Sequence, residues 1–313
     1  MDVSIIIVNY NTRQLLYTCL VSIYEQTRDI TYEVIVLDNG SIDNSINMVQ
    51  TNFPHVILIE NNKNIGFGAA NNRGLDIAKG KYIFYLNSDT VLLNNAVKIF
   101  NDFWEGYSNK NELGAIGCNL LNQNMQVIHS SGKFPSMFQR IKSLLAMNIN
   151  LFIKTVFRFF HYDYSHLRKN ITEEKRIIGD VDFITGADLF MENDKTLKFD
   201  EHFFLYSEDV DLQYTLFSRG KKRLLIDGPL IQHLTGGSNM IKDDFERYAS
   251  FSIVNNFISS ILYFMKYKIK GAIIIKTLVI LILINPYLIK ETKKHIKKIA
   301  FLSYDKNRKK VSV

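Results

Sequence analysis

The sequence predicts an α/β protein: a doubly wound, mostly parallel β-sheet with helices on both faces, extended at its C-terminal end by a basic, apolar helical region. Three observations carry that expectation. Short β-branched apolar runs alternate with helix-periodic stretches through the first 120 residues. The apolar runs end in polar clusters. The positive charge gathers in two stretches that are also rich in Ile, Leu and Phe.

The opening run Val3-Ser4-Ile5-Ile6-Ile7-Val8 reads as a strand buried on both faces. Met1-Asp2 leads straight into it without a basic segment or cleavage site, so no export signal is read here. Residues 12–26 place Leu15, Leu16, Cys19, Leu20 and Ile23 at helical spacing. A second strand over 33–37 ends in Asp38-Asn39-Gly40-Ser41, a helix covers 45–52, and a third strand covers 56–60. A helix over 66–79 opens with Gly66-Phe67-Gly68-Ala69-Ala70, and a fourth strand spans 82–86. This order implies parallel strands joined by right-handed crossovers. Ligands of such sheets sit beyond the carboxyl ends of the strands. Four clusters fall there: Asn9-Tyr10-Asn11, Asp38-Asn39-Gly40-Ser41, residues 61–66, and Asn87-Ser88-Asp89-Thr90. Each alone is an ordinary set of turn residues. Four on one sheet edge make a pocket.

A second stretch carries a strand over 181–185, then Gly186-Ala187-Asp188. The aromatic residues Phe203, Phe204 and Tyr206 lead into Glu208, Asp209 and Asp211; a helix follows with Gly220 at its C-cap, then a strand over 222–226 and Gln232-His233.

Length 313 suits one large or two modest domains. Two cysteines make no disulfide framework and fit a reduced intracellular setting. Residues 241–313 hold 15 basic against 5 acidic residues, whereas 1–240 are slightly acidic, with 23 against 26. The stretch 133–169 adds seven basic residues and one acid. Basic residues mixed with apolar ones fit a membrane surface, and no nucleic-acid partner is expected. Residues 251–263 are apolar, and 271–289 form an apolar run broken by Lys276, Thr277, Asn285 and Pro286. That run is borderline against the roughly 20 residues of a spanning helix. A membrane-lying or reentrant segment is favoured over a span; two buried helices completing a core are the alternative.

Apolar neighbours and like charges raise a carboxylate's pKa, which makes Glu208 and Asp209 candidates for a general base. The same acids would also suit a helix N-terminus. Asp89 with substrate phosphates suits Mg²⁺ or Mn²⁺. His233 is a possible second ligand that would favour Mn²⁺ over Ca²⁺, or else a structural histidine.

In their order, Ser4–Asn11, Val36–Ser41, Asn64–Gly68, Leu86–Thr90, Thr185-Gly186-Ala187, Tyr206–Leu212 and Gln232-His233 resemble glycosyltransferase family 2, the inverting GT-A enzymes, and within it the bacterial rhamnosyltransferase-like branch. The resemblance covers about three quarters of the chain. It implies a GT-A domain over 1–240, in which 133–169 form a basic amphipathic insertion near the acceptor side, and a helical membrane-associating region over 241–313. It also implies that Asn9, Tyr10 and Asp38 meet the base and ribose of a nucleotide-diphosphate sugar, and that Asn11 and Asn39 belong to the same donor site. Asn64, Gly66, Asn71 or Arg73, Asn87 and Ser88 would line the rest of the donor. Asp89 matches the last acid of the family's DXD metal motif, Asn87 replacing the first, and His233 matches its C-terminal metal ligand, giving a Mn²⁺ or Mg²⁺ cofactor. Asp209 would be the base, with Glu208 as the competing assignment. Gly186, Ala187 and Asp188 would face the acceptor, although Asp188 stands where the family keeps a small or apolar residue.

The activity so implied is one in-line displacement at the anomeric carbon. The first donor expected is dTDP-rhamnose; galactose, glucose or mannose from UDP or GDP donors are alternatives. The expected acceptor is a lipid-linked saccharide of O-antigen or capsule synthesis, reached by a peripheral or monotopic enzyme at the cytoplasmic face of the bacterial inner membrane. A sugar-phosphate nucleotidyltransferase would place glycines after the first strand, where Asn9-Tyr10-Asn11-Thr12-Arg13 stand instead. A non-catalytic scaffold would have no use for Asp89, Glu208, Asp209 and His233 together.

Overall fold

β1 (Val3–Asn9) is buried along almost its whole length, as its β-branched run requires. It pairs in parallel with β2 (Tyr32–Asp38) on one side and β4 (Tyr82–Asn87) on the other, and β2 pairs in parallel with β3 (Ile57–Glu60). The registers Asn9↔Asp38, Val8↔Asn87 and Asp38↔Glu60 bring the carboxyl ends of all four strands to one level. The polar clusters of the sequence therefore share an edge because the pairing leaves them no other place. Helices α1 (Arg13–Gln26), α2 (Ser45–Asn52) and α3 (Phe67–Ile77) provide the crossovers.

Helices cover both faces. α3 lies on the face of Ile6 and Leu37, where a Cβ on Gly74 would come within 2.7 Å of Ile6 Cγ2 and 2.9 Å of Leu37 Cδ2. On the other face, Phe100 of α4 (Ala96–Gly106) stacks on Phe190 at 5.5 Å and tilts against Phe84 at 5.3 Å. Such aromatic pairs contribute roughly 0.5–1.5 kcal/mol each beyond the area they bury.

The remainder departs from a simple doubly wound order. β5 (Thr90–Leu92), β6 (Leu113–Cys118), β7 (Ser131–Gly132), β8 (Gly179–Asp180), β9 (Phe183–Ile184), β10 (Asp188–Glu192), β11 (Lys222–Ile226) and β12 (Ile231–His233) complete the strands, with α6 (Glu208–Ser218) between β10 and β11. The main sheet runs β3-β2-β1-β4-β10-β6-β11-β8. β10 sits at its centre, antiparallel to both β4 and β6. The sequence reading places Asp188 after a strand over 181–185 and on the acceptor side; the fold makes it the first residue of this central strand. Leu189, Phe190 and Met191 behind it are buried, and that burial sets the segment as a strand. Gly220, at φ +72, stands just past α6 as expected of a C-cap residue.

The computed structural model describes residues 1–159, 174–234, 251–269, 271–285 and 289–305. Residues 160–169 of the basic insertion, and 241–250, 270, 286–288 and 306–313 of the C-terminal region, lie outside these. The chain divides into two units. One comprises Met1–Phe134, Glu173–Phe204 and Glu208–Ser238, and the other Pro135–Thr172, Leu205–Ser207 and Asn239–Val313. Within the second unit α5 (Met137–Phe159), α7 (Phe251–Lys266) and α9 (Ile289–Ala300) all pack against α8 (Ala272–Leu283). Of the apolar residues of α5, Leu144 and Leu151 are buried, whereas Leu145, Ile149 and Ile153 are exposed.

One close approach sets the level of β4. Gly80 donates its N–H to Ser4 Oγ at 2.7 Å, and a Cβ there would fall 2.4 Å from Ser4 N and 2.5 Å from Val3 C. Backbone cannot give way as a side chain can. Gly80→Ala is expected to lower stability by about 1–3 kcal/mol in urea denaturation. An unchanged midpoint would contradict this packing.

Candidate active site

The strand-end cluster is built from the sheet outward. Asn9, fully buried, donates from Nδ2 to Asp38 Oδ2 at 2.7 Å and to Ser41 Oγ at 3.1 Å. The other Asp38 oxygen accepts the N–H groups of Gly40, at 3.0 Å, and Ser41, at 2.8 Å. A buried carboxylate needs such donors, and these fix the turn after β2. Asn39 reaches the next strand end, donating to Asn64 Oδ1 at 3.3 Å and Gly66 O at 3.2 Å while accepting from Asn61 Nδ2 at 2.8 Å. Gly66 caps α3 at φ +94, and a Cβ on it would lie 2.6 Å from Phe204 O. Asn71, in α3, donates to Phe67 O at 3.2 Å, and the exposed Arg73 donates to Asn61 Oδ1. Tyr10 and Asn11 are exposed at the rim, Asn11 with φ 54 and its N–H on Ser41 Oγ at 2.9 Å.

Thr12 links this group to the end of β4: its Oγ1 donates to Asn9 Oδ1 at 2.7 Å and lies 3.0 Å from Ser88 Oγ. Asn87 donates its N–H to Ala187 O at 3.1 Å, which ties β4 to the Gly186-Ala187 segment. Two residues further, Asp89 Oδ1 stands 3.1 Å from His233 Nε2. β12 pairs with β5 in the register His233↔Thr90, and Leu234 N–H donates to Asp89 O at 2.8 Å, so the backbone itself holds the pair together. Both side chains keep partial solvent access. A carboxylate oxygen and an imidazole nitrogen at this spacing suit two adjacent ligands of an octahedral ion with bonds of about 2.1 Å. Among the described residues, no cluster of three or more His, Cys, Asp or Glu is assembled for a metal. A cation here would take its remaining ligands from substrate and water.

Glu208 and Asp209, neighbours at the start of α6, are separated by burial. Glu208 is buried, its Cβ close beneath Gly68 of α3. Asp209 keeps partial exposure, accepts the Gly186 N–H at Oδ2 at 2.9 Å, and accepts the Val210 N–H at Oδ1 at 2.8 Å. Desolvation raises its pKa, opposed by those N–H groups and by the charge of His129. A Cβ at 186 would lie 3.3 Å from Asp209 Cβ, a tight contact that asks the aspartate to move by a few tenths of an ångström. Just before α6, Tyr206 and Ser207 take φ 70 and 66, a left-handed pair that costs non-glycine residues energy.

Asp188 does not join this group. It is fully buried in β10, its Oδ2 accepting the Cys118 N–H at 2.7 Å, and among the described residues Oδ1 has no hydrogen-bond partner. Desolvation pushes its pKa up to about 8, so the carboxyl is protonated inside the sheet. Three residues absent from the candidate set belong to the cluster: Thr12, Ser41 and Asn61. Each adjoins or lies inside a polar run already noted in the sequence. His129 had no such signal, for it is an isolated histidine brought near Asp209 by the fold.

A family model described as Glycosyl transferase family 2 matches residues 4–164 of the chain. The poly(ribitol-phosphate) β-glucosyltransferase of Bacillus spizizenii is 34% identical over 117 residues, 36% of this chain and 18% of that one. The Escherichia coli enzyme WfaP, named as a UDP-Glc:α-D-GlcNAc-diphosphoundecaprenol β-1,3-glucosyltransferase, is 39% identical over 90 residues, 28% of this chain and 35% of that one. The matched stretches thus span about a third or less of these relatives. Among solved structures, the mannosyltransferase PcManGT of Pyrobaculum calidifontis, in complex with GDP-Man and Mn²⁺, superposes with a TM-score of 0.54 at 14% identity, covering 96% of this chain and 75% of that one. The fold is therefore of the GT-A type.

The buried Asp188 has a thermodynamic signature. Its folded-state pKa, about 8, lies above the ordinary 3.8, so its contribution to stability is complete below about pH 4 and is lost as pH rises toward 8. Wild type is expected to lose roughly 1 kcal/mol per pH unit relative to Asp188→Asn over that window, read by urea denaturation at pH 5 and 7.5. Parallel stability profiles would contradict a neutral Asp188.

Proposed function

Because the chain belongs to glycosyl transferase family 2, we propose that it moves a sugar from a nucleotide-diphosphate donor to a lipid-linked saccharide, in one displacement that inverts the anomeric centre. The observation that carries the reading is the convergence at one sheet edge of three constellations: Asn9–Asp38–Asn39, Asp89–His233 and Gly186–Asp209. The first offers buried hydrogen-bonding groups beside a rim tyrosine, which suits a base and ribose. The second fits Mn²⁺ or Mg²⁺, a cation that, when bound, would neutralise charge developing on the leaving diphosphate.

Asp209 is assigned the acceptor's proton. Its pKa is raised by desolvation, the direction that makes a carboxylate a better base, and the Gly186 N–H holds the carboxylate while leaving it partly open to solvent. Glu208, buried beneath α3, is the weaker candidate for the same role.

The branch resemblance supports dTDP-rhamnose as donor, and the two relatives named for glucosyl transfer support testing UDP-glucose beside it. The name of WfaP, a transferase onto a diphosphoundecaprenol-linked sugar, supports a lipid-linked acceptor, and the branch resemblance supports its presentation at the cytoplasmic face of the inner membrane. Among the described residues no helix is long and apolar enough to cross a membrane, and that favours a peripheral or monotopic attachment.

Asp209→Asn is expected to lower turnover about 10²–10⁴-fold while donor affinity stays within a factor of about two. In wild type, kcat is expected to rise with pH through an acid limb displaced above the ordinary carboxylate range, because the base acts only when deprotonated. Steady-state kinetics with dTDP-rhamnose and UDP-glucose checks both. Wild-type turnover in the variant, or lost donor binding, would overturn the assignment.

A further inference from the structure

Two helices of the second unit carry apolar residues on a face that, among the described residues, nothing in that unit covers. On α5, Leu145, Ile149, Phe152, Ile153 and Val156 are exposed, Phe152 at 67%. At 3.6 residues per turn they fall within about 100° of arc. On α8, Ile273, Ile274, Leu281 and Ile284 are exposed, Ile273 at 78%, and they too share about 100° of arc.

The two stripes form one surface. Asn148 Nδ2 donates to Leu278 O at 3.2 Å and Asn285 Nδ2 to Thr155 Oγ1 at 3.2 Å, a constant offset of 130 residues, so the helices run parallel. Around α5 the stripe lies about a quarter turn from Asn148 and Thr155 in one sense; around α8 it lies about a quarter turn from Leu278 and Asn285 in the other. For parallel helices, opposite senses about facing residues put both stripes on the same side of the pair. The reverse side of α5 is occupied: Arg140 Nη2 donates to Asn256 Oδ1 at 3.0 Å, and its guanidinium lies 5.9 Å from the Phe257 ring of α7.

The surroundings are cationic. α5, α7 and α8 contain no Asp or Glu. Lys142 is exposed beside the α5 stripe, and α9 presents Lys293, Lys294 and Lys297 outward, followed by Phe301 at 85% exposure. α8, with 12 residues, is about 18 Å long against a hydrocarbon core of about 30 Å, so it is too short to span.

We infer that the α5–α8 face is a monotopic docking surface for an anionic bilayer, its apolar stripes entering the headgroup boundary and the α9 lysines meeting lipid phosphates. The inference deepens the proposed use of a lipid-linked acceptor, but its test needs no turnover. Full-length protein is floated with phosphatidylcholine vesicles and with vesicles containing 30% phosphatidylglycerol. Binding to the anionic vesicles should exceed binding to the neutral ones by about tenfold or more, and salt should weaken it. Ile149→Glu with Phe152→Glu should lower anionic-vesicle binding about tenfold or more, both positions being exposed and their loss costing no core packing. Stabilisation by a nucleoside diphosphate with Mn²⁺ should be unchanged in that variant. Wild-type binding by the double variant, or no preference for anionic vesicles, would overturn the inference. A concentration-dependent dimer in sedimentation that the same substitutions dissociate, without vesicle binding, would overturn it in favour of self-association. Loss of the nucleotide effect in wild type would instead overturn the transferase reading and leave the docking surface standing.

Discussion

The hydrogen bond from Asn9 to Asp38 is the constraint on which the site depends. Both residues are buried at the ends of adjacent parallel strands, and a buried carboxylate without donors would cost several kcal/mol. Asp38 therefore recruits the amide of Asn9 together with the N–H groups of Gly40 and Ser41. That requirement fixes the turn after β2, and through Ser41 it places Asn11 as well. Thr12 continues the network to Ser88 after β4, two strands over from β2, and Asp89 is the next residue. The polar wall at the strand ends is thus tied together by its own hydrogen bonds.

What was legible in the sequence follows from how local each signal is. The strands from Val3 to Asn87 and their crossover helices are each specified by neighbouring residues, and parallel pairing then aligns their ends without further information. The approach of Asp89 to His233 spans 144 residues; residue chemistry offers both as metal ligands, but only the family resemblance pairs them. β10 was illegible because it is short and begins with a carboxylic acid, and nothing local says that Asp188 is held neutral among buried residues. The choice between Glu208 and Asp209 also lay beyond the sequence, since adjacent helical residues differ in direction by about 100° and only the packing of α3 says which one is covered. The same limit applies to α5, where apolar periodicity admits two faces and the fold buries the one with Leu144 and Leu151.

The second unit makes a physical contrast with the first. Its helices owe their cohesion to buried residues such as Ile261, Leu262, Val279 and Ile282, yet they keep large apolar side chains in the open. Three residues just ahead of α6, Leu205–Ser207, belong to this unit, with Ser259 Oγ donating to Leu205 O at 2.8 Å and Tyr206 OH bonded to Ser252 Oγ. Tyr206 and Ser207 take left-handed backbone angles, and Asp209 follows two residues later.

The central claim is that the strand-end pocket binds a nucleotide diphosphate together with a cation held by Asp89 and His233. Thermal stability in the presence of dTDP, UDP and GDP, each with and without Mn²⁺ or Mg²⁺, tests it most directly in wild type and in Asp89→Ala. At about 100 times its dissociation constant a ligand stabilises by roughly 2.7 kcal/mol, a readily visible shift in Tm. The account predicts metal-dependent stabilisation by at least one nucleotide in wild type and its loss in Asp89→Ala. No stabilisation by any nucleotide, or an equal shift in the variant, would contradict it.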